Sequence, residues 1–205
     1  MPNGIVLADW KNPTGLPEEH GILLNELHKK GKFIVGFAGA HGIANSLYAV
    51  IDAVALVEKQ DVVLVLVGGG QEKNNLIKYT QKKKIDNVYF LPPVNKLAIP
   101  SLLKEMDVLY VGLQRQSLFR FGISPNKMFD YMMAAKPIIQ AIEAGNNLVR
   151  EADCGIDVEP DNKTEISKAI LNLKAMSQEE RIEMGENGRR FVLSHHTYQV
   201  LGKQF

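Results

Sequence analysis

Along this sequence, short unbroken apolar runs alternate with longer stretches in which apolar residues recur every three or four positions. The runs Phe33–Ala38, Val62–Val67, Val88–Leu91, Val108–Val111 and Pro137–Ala141 show almost no polar alternation. That pattern predicts strands buried on both faces of a parallel sheet. Gly155–Val158 predicts an edge strand. The longer stretches predict helices. The first runs from Pro17 to Lys30, with Pro17 in its first turn, Gly31 as its stop and Ile22, Leu23, Leu24 and Leu27 facing inward. The next spans Asn45–Lys59 on a stripe of Leu47, Val50, Ile51, Val54 and Val57. Others cover Gln71–Lys84, Pro100–Glu105, Ser124–Ala135, Asn162–Met176 and Gln178–Ser194. Residues 1–17 predict an irregular lead-in, 18–194 one Rossmann-like domain, and 195–205 a helix cut by the chain end. Strands and helices repeated in this order join only through right-handed crossovers. The fold class is therefore α/β with a doubly wound parallel sheet. Ligands of such sheets bind at the carboxyl ends of the strands, so the loops after Ala38, Val67, Leu91, Val111 and Ala141 should share one functional rim.

Composition narrows the function classes. The 205 residues are 45% hydrophobic and 23% charged, as in an ordinary folded domain. With 24 basic against 23 acidic side chains, the chain lacks the excess of an electrostatic nucleic-acid binder. The single cysteine, Cys154, cannot form an internal disulfide, and five scattered histidines give no zinc spacing. No apolar run spans a bilayer, and the N-terminus lacks the basic-then-apolar order of a signal peptide. These features imply a soluble protein of a reducing compartment, or a soluble piece of something larger, with a cytoplasmic location expected.

The strongest local feature on the expected rim is Ser124-Pro-Asn-Lys-Met-Phe-Asp-Tyr131. Ser124 suits an N-cap and Pro125 the first helical position. The N–H groups that follow lack intrahelical partners and can bind phosphate, with Lys127 adding charge beside them. Asn126 and Asp130 share a helix face, and a carboxylate one turn beyond an anion site can accept from a ribose diol. A capped helix with a merely solvated polar face fits the same residues equally well. In Gly39-Ala-His-Gly42 the two glycines permit close backbone approach to a ligand, and His41 can donate to a phosphate or sugar oxygen or lie in solvent. A dinucleotide fingerprint needs a third glycine that this loop lacks, and no Walker motif follows. Gly68-Gly-Gly70 reads as a tight turn and Lys82–Lys84 as a solvated helix end. Arg115 and Arg120 are anion candidates on the long rim loop. Met128, Met132 and Met133 read as core, and Cys154 as a structural thiol.

These landmarks, in this order, resemble the C-terminal, nucleotide-sugar-binding half of a retaining glycosyltransferase with the GT-B fold, of the group 1, family 4 type. Pro2-Asn-Gly-Ile5 is similar to the segment where such enzymes pass between domains. Val67-Gly-Gly-Gly70, Val88-Tyr-Phe-Leu-Pro-Pro-Val94 and Asp107-Val108 follow the family's order. Ser124-Pro-Asn-Lys-Met-Phe-Asp-Tyr-Met132 with Lys136-Pro-Ile-Ile139 resembles a branch that builds bacterial surface polysaccharides, fucosamine-type transferases among them. The resemblance implies that Asp130, replacing the second of two family glutamates, holds the ribose. The first glutamate falls on Gly122. The family's diphosphate arginine and lysine fall on Ala40 and Asn45. It implies that Gly39, His41, Gly42, Ser124, Asn126 and Lys127 bind the donor diphosphate or sugar, and that Val94 reads the base.

The resemblance further implies a nucleoside-diphosphate sugar as donor, no metal and no other cofactor. An N-terminal acceptor domain, absent here, is the expected partner, with a lipid-linked acceptor and no nucleic acid. The chain then reads as an excised donor domain that transfers nothing alone. It belongs to a bacterial enzyme of polysaccharide, lipopolysaccharide or capsule biosynthesis, which transfers a hexose or aminosugar and is peripheral at the inner membrane face. Alternatives are a GT-B-like nucleotide-sugar epimerase and a non-catalytic nucleotide-binding half of a split transferase. A nicotinamide oxidoreductase is disfavoured by the missing glycine fingerprint.

Overall fold

A computed structural model describes residues 3–203. Pro2, the first residue of the Pro-Asn-Gly-Ile segment, lies outside the described residues with Met1, as do residues 204 and 205 of the C-terminal piece. Six strands form one sheet: β1 (Phe33–Ala38), β2 (Val62–Val67), β3 (Val88–Leu91), β4 (Val108–Gly112), β5 (Ile138–Ala141) and β6 (Gly155–Asp157). All neighbours pair in parallel, in the order β3-β2-β1-β4-β5-β6. Ten helices accompany them among the described residues: α1 (Ala8–Lys11), α2 (Glu18–Lys29), α3 (Leu47–Leu56), α4 (Lys73–Lys83), α5 (Ile99–Lys104), α6 (Asn126–Met133), α7 (Leu148–Glu151), α8 (Lys163–Ala175), α9 (Gln178–His195) and α10 (Tyr198–Leu201).

The unbroken apolar runs follow from the layers. Every residue of β1, β2 and β4 is buried, because successive side chains enter opposite cores. On one face Ile34, Val63, Val65 and Leu109 meet Leu24, Leu27, Leu102 and Met132 from α2, α5 and α6. On the other, Val35, Phe37, Leu64 and Leu66 meet Val50, Val54, Leu76, Ile166 and Ile170 from α3, α4 and α8.

Several elements depart from the sequence expectation. The lead-in holds one helical turn, α1, where irregular chain was expected. In α2 the inward stripe is His20, Leu24 and Leu27, while Ile22 is 55% exposed. A histidine occupies the inward position because its Nε2 reaches the Pro92 carbonyl at 2.9 Å. Pro17 precedes α2 instead of entering it. The helix expected from Asn45 starts at Leu47, because Ser46 turns left-handed (φ 49°). In the long loop, Ser117–Phe121 make a 3-10 turn. The unforeseen α7 is capped by the Asn147 side chain.

One bond ties the sheet to α6. The Ala38 N–H at the end of β1 donates to Tyr131 Oη at 2.9 Å, across 93 residues, in a fully buried setting. Tyr131→Phe should leave that N–H without an acceptor and cost about 1–2 kcal/mol of stability, read from urea unfolding. An unchanged midpoint would show that another acceptor takes over.

Candidate functional site

The strand order reverses between β1 and β4, and a ligand crevice opens at such a reversal. The loop after β1 forms one wall and the start of α6 the other. The first loop is pressed onto the glycine turn after β2. The Gly39 N–H donates to the Val67 carbonyl (3.0 Å) and the His41 N–H to the Gly69 carbonyl (2.7 Å). Gly68 has φ +147°, and a Cβ there would lie 2.0 Å from the Gly39 oxygen. A Cβ on Gly70, at φ +145°, would meet the His41 oxygen at 2.6 Å. Gly68–Gly70 is thus a turn, as expected, and also the seat of the neighbouring loop. Lys73 stitches its far side, donating to the carbonyls of Gly68 and Leu91 at 2.8 Å each.

His41 is not in solvent. Its side chain is fully buried, and among the described residues neither ring nitrogen has a partner. The Phe37 and Phe90 rings lie 6.1 and 6.3 Å from it. Burial, with Lys73 and Lys127 nearby, lowers its pKa to about 4, so the ring is neutral at pH 7. Gly42 has extended backbone (φ −111°, ψ 159°), and a Cβ there would meet only the Asn45 amide, at 3.9 Å.

Helix α6 begins at Asn126, with Pro125 in the cap position and no side-chain cap. Ser124 is therefore not the N-cap that the sequence predicts. Its Oγ instead accepts the Asn3 N–H at 3.0 Å. The N–H groups of Asn126 and Lys127 have no acceptor among the described residues, and Asn126 is exposed. The Lys127 ammonium donates to Asn45 Oδ1 at 2.5 Å and lies 4.3 Å from the centroid of the Phe37 ring. It also stands beside Gly39. Desolvation lowers its pKa to about 8. The two loops thus converge on one cation.

Asp130 lies one turn further along α6. Burial raises its pKa to about 6, against the opposing effects of the Trp10 side chain and Lys96. Lys96 is itself paired with Asp9 at 2.5 Å. Val94 is half-buried and lines a cavity of about 400 Å³ with Ala38, Gly39, Gly68, Pro93 and Ile99. Its mostly aliphatic wall suits a flat ring. The candidate residues of the two loops, α6 and Val94 therefore belong to one rim, with His41 beneath it.

Gly122 lies where the resemblance expected a glutamate. Its backbone (φ 98°, ψ 159°) is in a region nearly closed to other residues. Asn146 holds the next residue there, accepting the Ile123 N–H at 2.8 Å and donating to its carbonyl at 3.0 Å. A second cavity, of about 480 Å³, opens beside it between Arg115, Ser117, Arg120, Glu143 and Gly145. Arg115 is already paired with Glu143 (3.1 Å) and Glu159 (2.5 Å). The Arg120 guanidinium lies over the Phe121 ring. Cys154 is buried, its pKa pushed up to about 12, as a structural thiol requires. Among the described residues no cluster of His, Cys, Asp or Glu is arranged to hold a metal ion. No helix there is long and apolar enough to cross a membrane. Sequence reasoning missed Asn3, Asn45, Lys73, Tyr131 and Asn146 as supports, since each acts through a partner set only by the fold.

Residues 24–191 match the protein family described as Glycosyl transferases group 1. Among solved structures, HepE of Anabaena in complex with UDP and glucose is 19% identical, with a TM-score of 0.76 over 98% of this chain and 54% of that one. Sucrose-phosphate synthase from Thermosynechococcus elongatus is 18% identical, with a TM-score of 0.76 over 99% of this chain and 49% of that one. The C-terminal domain of LpcC, a glycosyl transferase group 1 family protein from Francisella tularensis, is 17% identical, with a TM-score of 0.67 over 91% and 96%. These likenesses establish a shared fold. The chain spans about half the length of HepE. No curated protein sequence matches this one.

Proposed function

The chain belongs to the group 1 glycosyl transferases, and from that premise we propose that it binds the nucleoside-diphosphate sugar donor of a retaining transferase. Its fold is that of a GT-B C-terminal domain. The observation that carries the reading is the Lys127 ammonium, held between the first glycine loop and the uncapped start of α6 at the strand-order reversal. That is a site for a diphosphate. The base enters the cavity beside Val94, the ribose hydroxyls donate to Asp130, and the diphosphate meets Gly39, Gly42, Ser124, Asn126 and Lys127. His41 lies buried beneath the first loop and supports it there. HepE of Anabaena, which shares the fold, has been solved with UDP-glucose.

In the reaction, the bond from the sugar's anomeric carbon to the diphosphate oxygen breaks and one to an acceptor hydroxyl oxygen forms with retention, the hydroxyl proton passing to the departing diphosphate. Negative charge grows on the departing diphosphate. Preorganised donors at such a position typically lower the barrier by about 3–4 kcal/mol each. Lys127 and the helix N–H groups supply that potential, so the reading calls for no bound metal. The acceptor is bound by a second domain, and this chain alone transfers nothing. We place the whole enzyme, of the fucosamine transferase-like branch, in bacterial polysaccharide or capsule assembly at the inner membrane face, acting on a lipid-linked acceptor.

Ligand-observed NMR with UDP, GDP, CDP, NAD and the matching nucleosides tests the reading. One nucleoside diphosphate should bind. Asp130→Asn should weaken it and its nucleoside alike, by about tenfold, because the lost contact is to the ribose. Binding of NAD in place of a diphosphate would overturn the transferase reading, and unchanged affinity in Asp130→Asn would remove the ribose role.

A further inference from the structure

We infer that Asn3, 121 residues away in sequence, is a positioning residue for the donor diphosphate: it sets the first turn of α6 and the Ser124 hydroxyl. The inference rests on the donor-binding reading above. Nothing within α6 fixes its own start, since Pro125 occupies the cap position and offers no side-chain acceptor. Asn3 supplies the missing restraint with two bonds to one residue. Its backbone N–H donates to Ser124 Oγ at 3.0 Å, and its Nδ2 donates to the Ser124 carbonyl at 2.6 Å.

Those two bonds hold the side chain and the carbonyl of the residue that precedes the Pro125 cap position. They also occupy the Ser124 hydroxyl as an acceptor, which leaves its proton to be donated to a ligand oxygen. Ser124 is half-buried, so that proton remains within reach of the rim.

Asn3 is itself held. Two residues on, the Ile5 N–H donates to the His196 carbonyl at 2.8 Å, and the Tyr198 N–H returns to the Ile5 carbonyl at 3.3 Å. Gly4 lies so close that a Cβ there would be 2.7 Å from the His196 oxygen. The His196 ring packs against Phe129 of α6 with centroids 4.8 Å apart. The lead-in and the end of α9 therefore form one clasp, which grips α6 at Ser124 and again at Phe129. Any movement of Asn3–Ile5 is passed to the first turn of α6, where Lys127 and the unpaired N–H groups stand.

The test separates positioning from plain stability. Asn3→Ala should lower affinity for UDP about tenfold while leaving uridine within twofold, and Ser124→Ala should share that loss. Asn3→Ala removes the Nδ2 bond to the Ser124 carbonyl and Ser124→Ala the backbone N–H bond to its Oγ, so the double variant, which frees the same residue from both, should depart from the product of the two. Ser124→Thr, which keeps the hydroxyl, should retain affinity. Asn162→Ala, which removes the side-chain cap of α8 and belongs to no part of the clasp, should lower the melting temperature but keep the ratio of UDP to uridine affinity. In the ligand-free chain, Asn3→Ala should also speed exchange of the Met128 amide, which bonds to the Pro125 carbonyl. Equal loss of UDP and uridine, or no loss, would overturn the positioning role. If UDP, GDP and CDP all fail to bind the unaltered chain, the donor reading falls and takes that role with it. Unchanged exchange at Met128 would independently overturn the clasp.

Discussion

Replacing Lys127 by alanine is expected to lower affinity for the bound nucleoside diphosphate about 30- to 100-fold and leave the corresponding nucleoside within twofold. The figure corresponds to about 2–3 kcal/mol, the usual range for a hydrogen bond to a charged group. The reason lies in how poorly this ammonium is served without a ligand. Its hydrogen-bond partner is the neutral Asn45 amide, and the Phe37 ring lies beneath it. No carboxylate lies within ion-pair distance among the described residues. Desolvation without an opposing charge is what brings its pKa to about 8. A diphosphate supplies the missing charge, so binding must raise that pKa again. Affinity should accordingly be level below pH 8 and fall as the pH climbs above it, toward tenfold per unit. The ligand-free alanine variant should be no less stable than the parent, because it loses a desolvated charge and little packing. Titration calorimetry at pH 7 and pH 9 measures both effects. A loss shared equally by nucleotide and nucleoside, or a parent affinity indifferent to pH between 7 and 9, would take Lys127 out of the diphosphate site.

The sheet was legible because burial on both faces leaves little room for polar residues. β1, β2 and β4 announce themselves as apolar runs, and their parallel pairing puts the loops that follow them on one rim. Elements that depend on less were missed. Helices α1 and α7, of four residues each, are too short for a period to emerge. His20 takes a core position that composition assigns to Ile22, because a carbonyl 72 residues away accepts from its ring.

The candidate site divides in the same way. The shared helix of Asn126 and Asp130 and the place of Lys127 in its first turn are legible from the sequence. Their surroundings are not, because Asn45 meets Lys127 across 82 residues and Asn3 meets Ser124 across 121. Ser124 shows the limit most clearly: residue type and position both favour an N-cap, and a tertiary bond claims its oxygen instead. Gly122 shows the reverse. Its identity alone is only a missing carboxylate, whereas its backbone explains why a side chain is unwelcome there: the Asn146 bonds hold the loop in a conformation that glycine tolerates. On the donor-binding proposal, the sugar would be contacted without a side chain at position 122. The cavity beside Arg120 and Gly145 is open space where such contacts can form.

The acid limb of stability should be set by two buried groups on this rim acting in opposite directions. The His41 pKa falls from 6.5 to about 4 on folding, so the unfolded chain takes up the proton first. Its contribution is complete above pH 6.5 and is lost as the pH falls toward 4, at about 1.4 kcal/mol per unit and ~3 kcal/mol in all. His196, whose burial also lowers its pKa, adds a slope of the same sign. Asp130 works against them, since its pKa rises on folding to about 6. The folded chain binds that proton first, and stability is gained as the pH falls from 6 toward the unfolded value. In the unaltered chain the opposing slopes should largely hide one another between pH 6.5 and 4. Asp130→Asn should expose the histidine loss, giving a chain that weakens steadily on acidification. His41→Leu should remove most of that loss, together with two ring nitrogens that have no partner, and leave a chain whose stability holds or rises toward pH 4.5. Urea unfolding of the three proteins at pH 7.5, 6 and 4.5 decides it. Parallel pH profiles for the parent and His41→Leu would mean that burial does not hold the ring neutral beneath the loop.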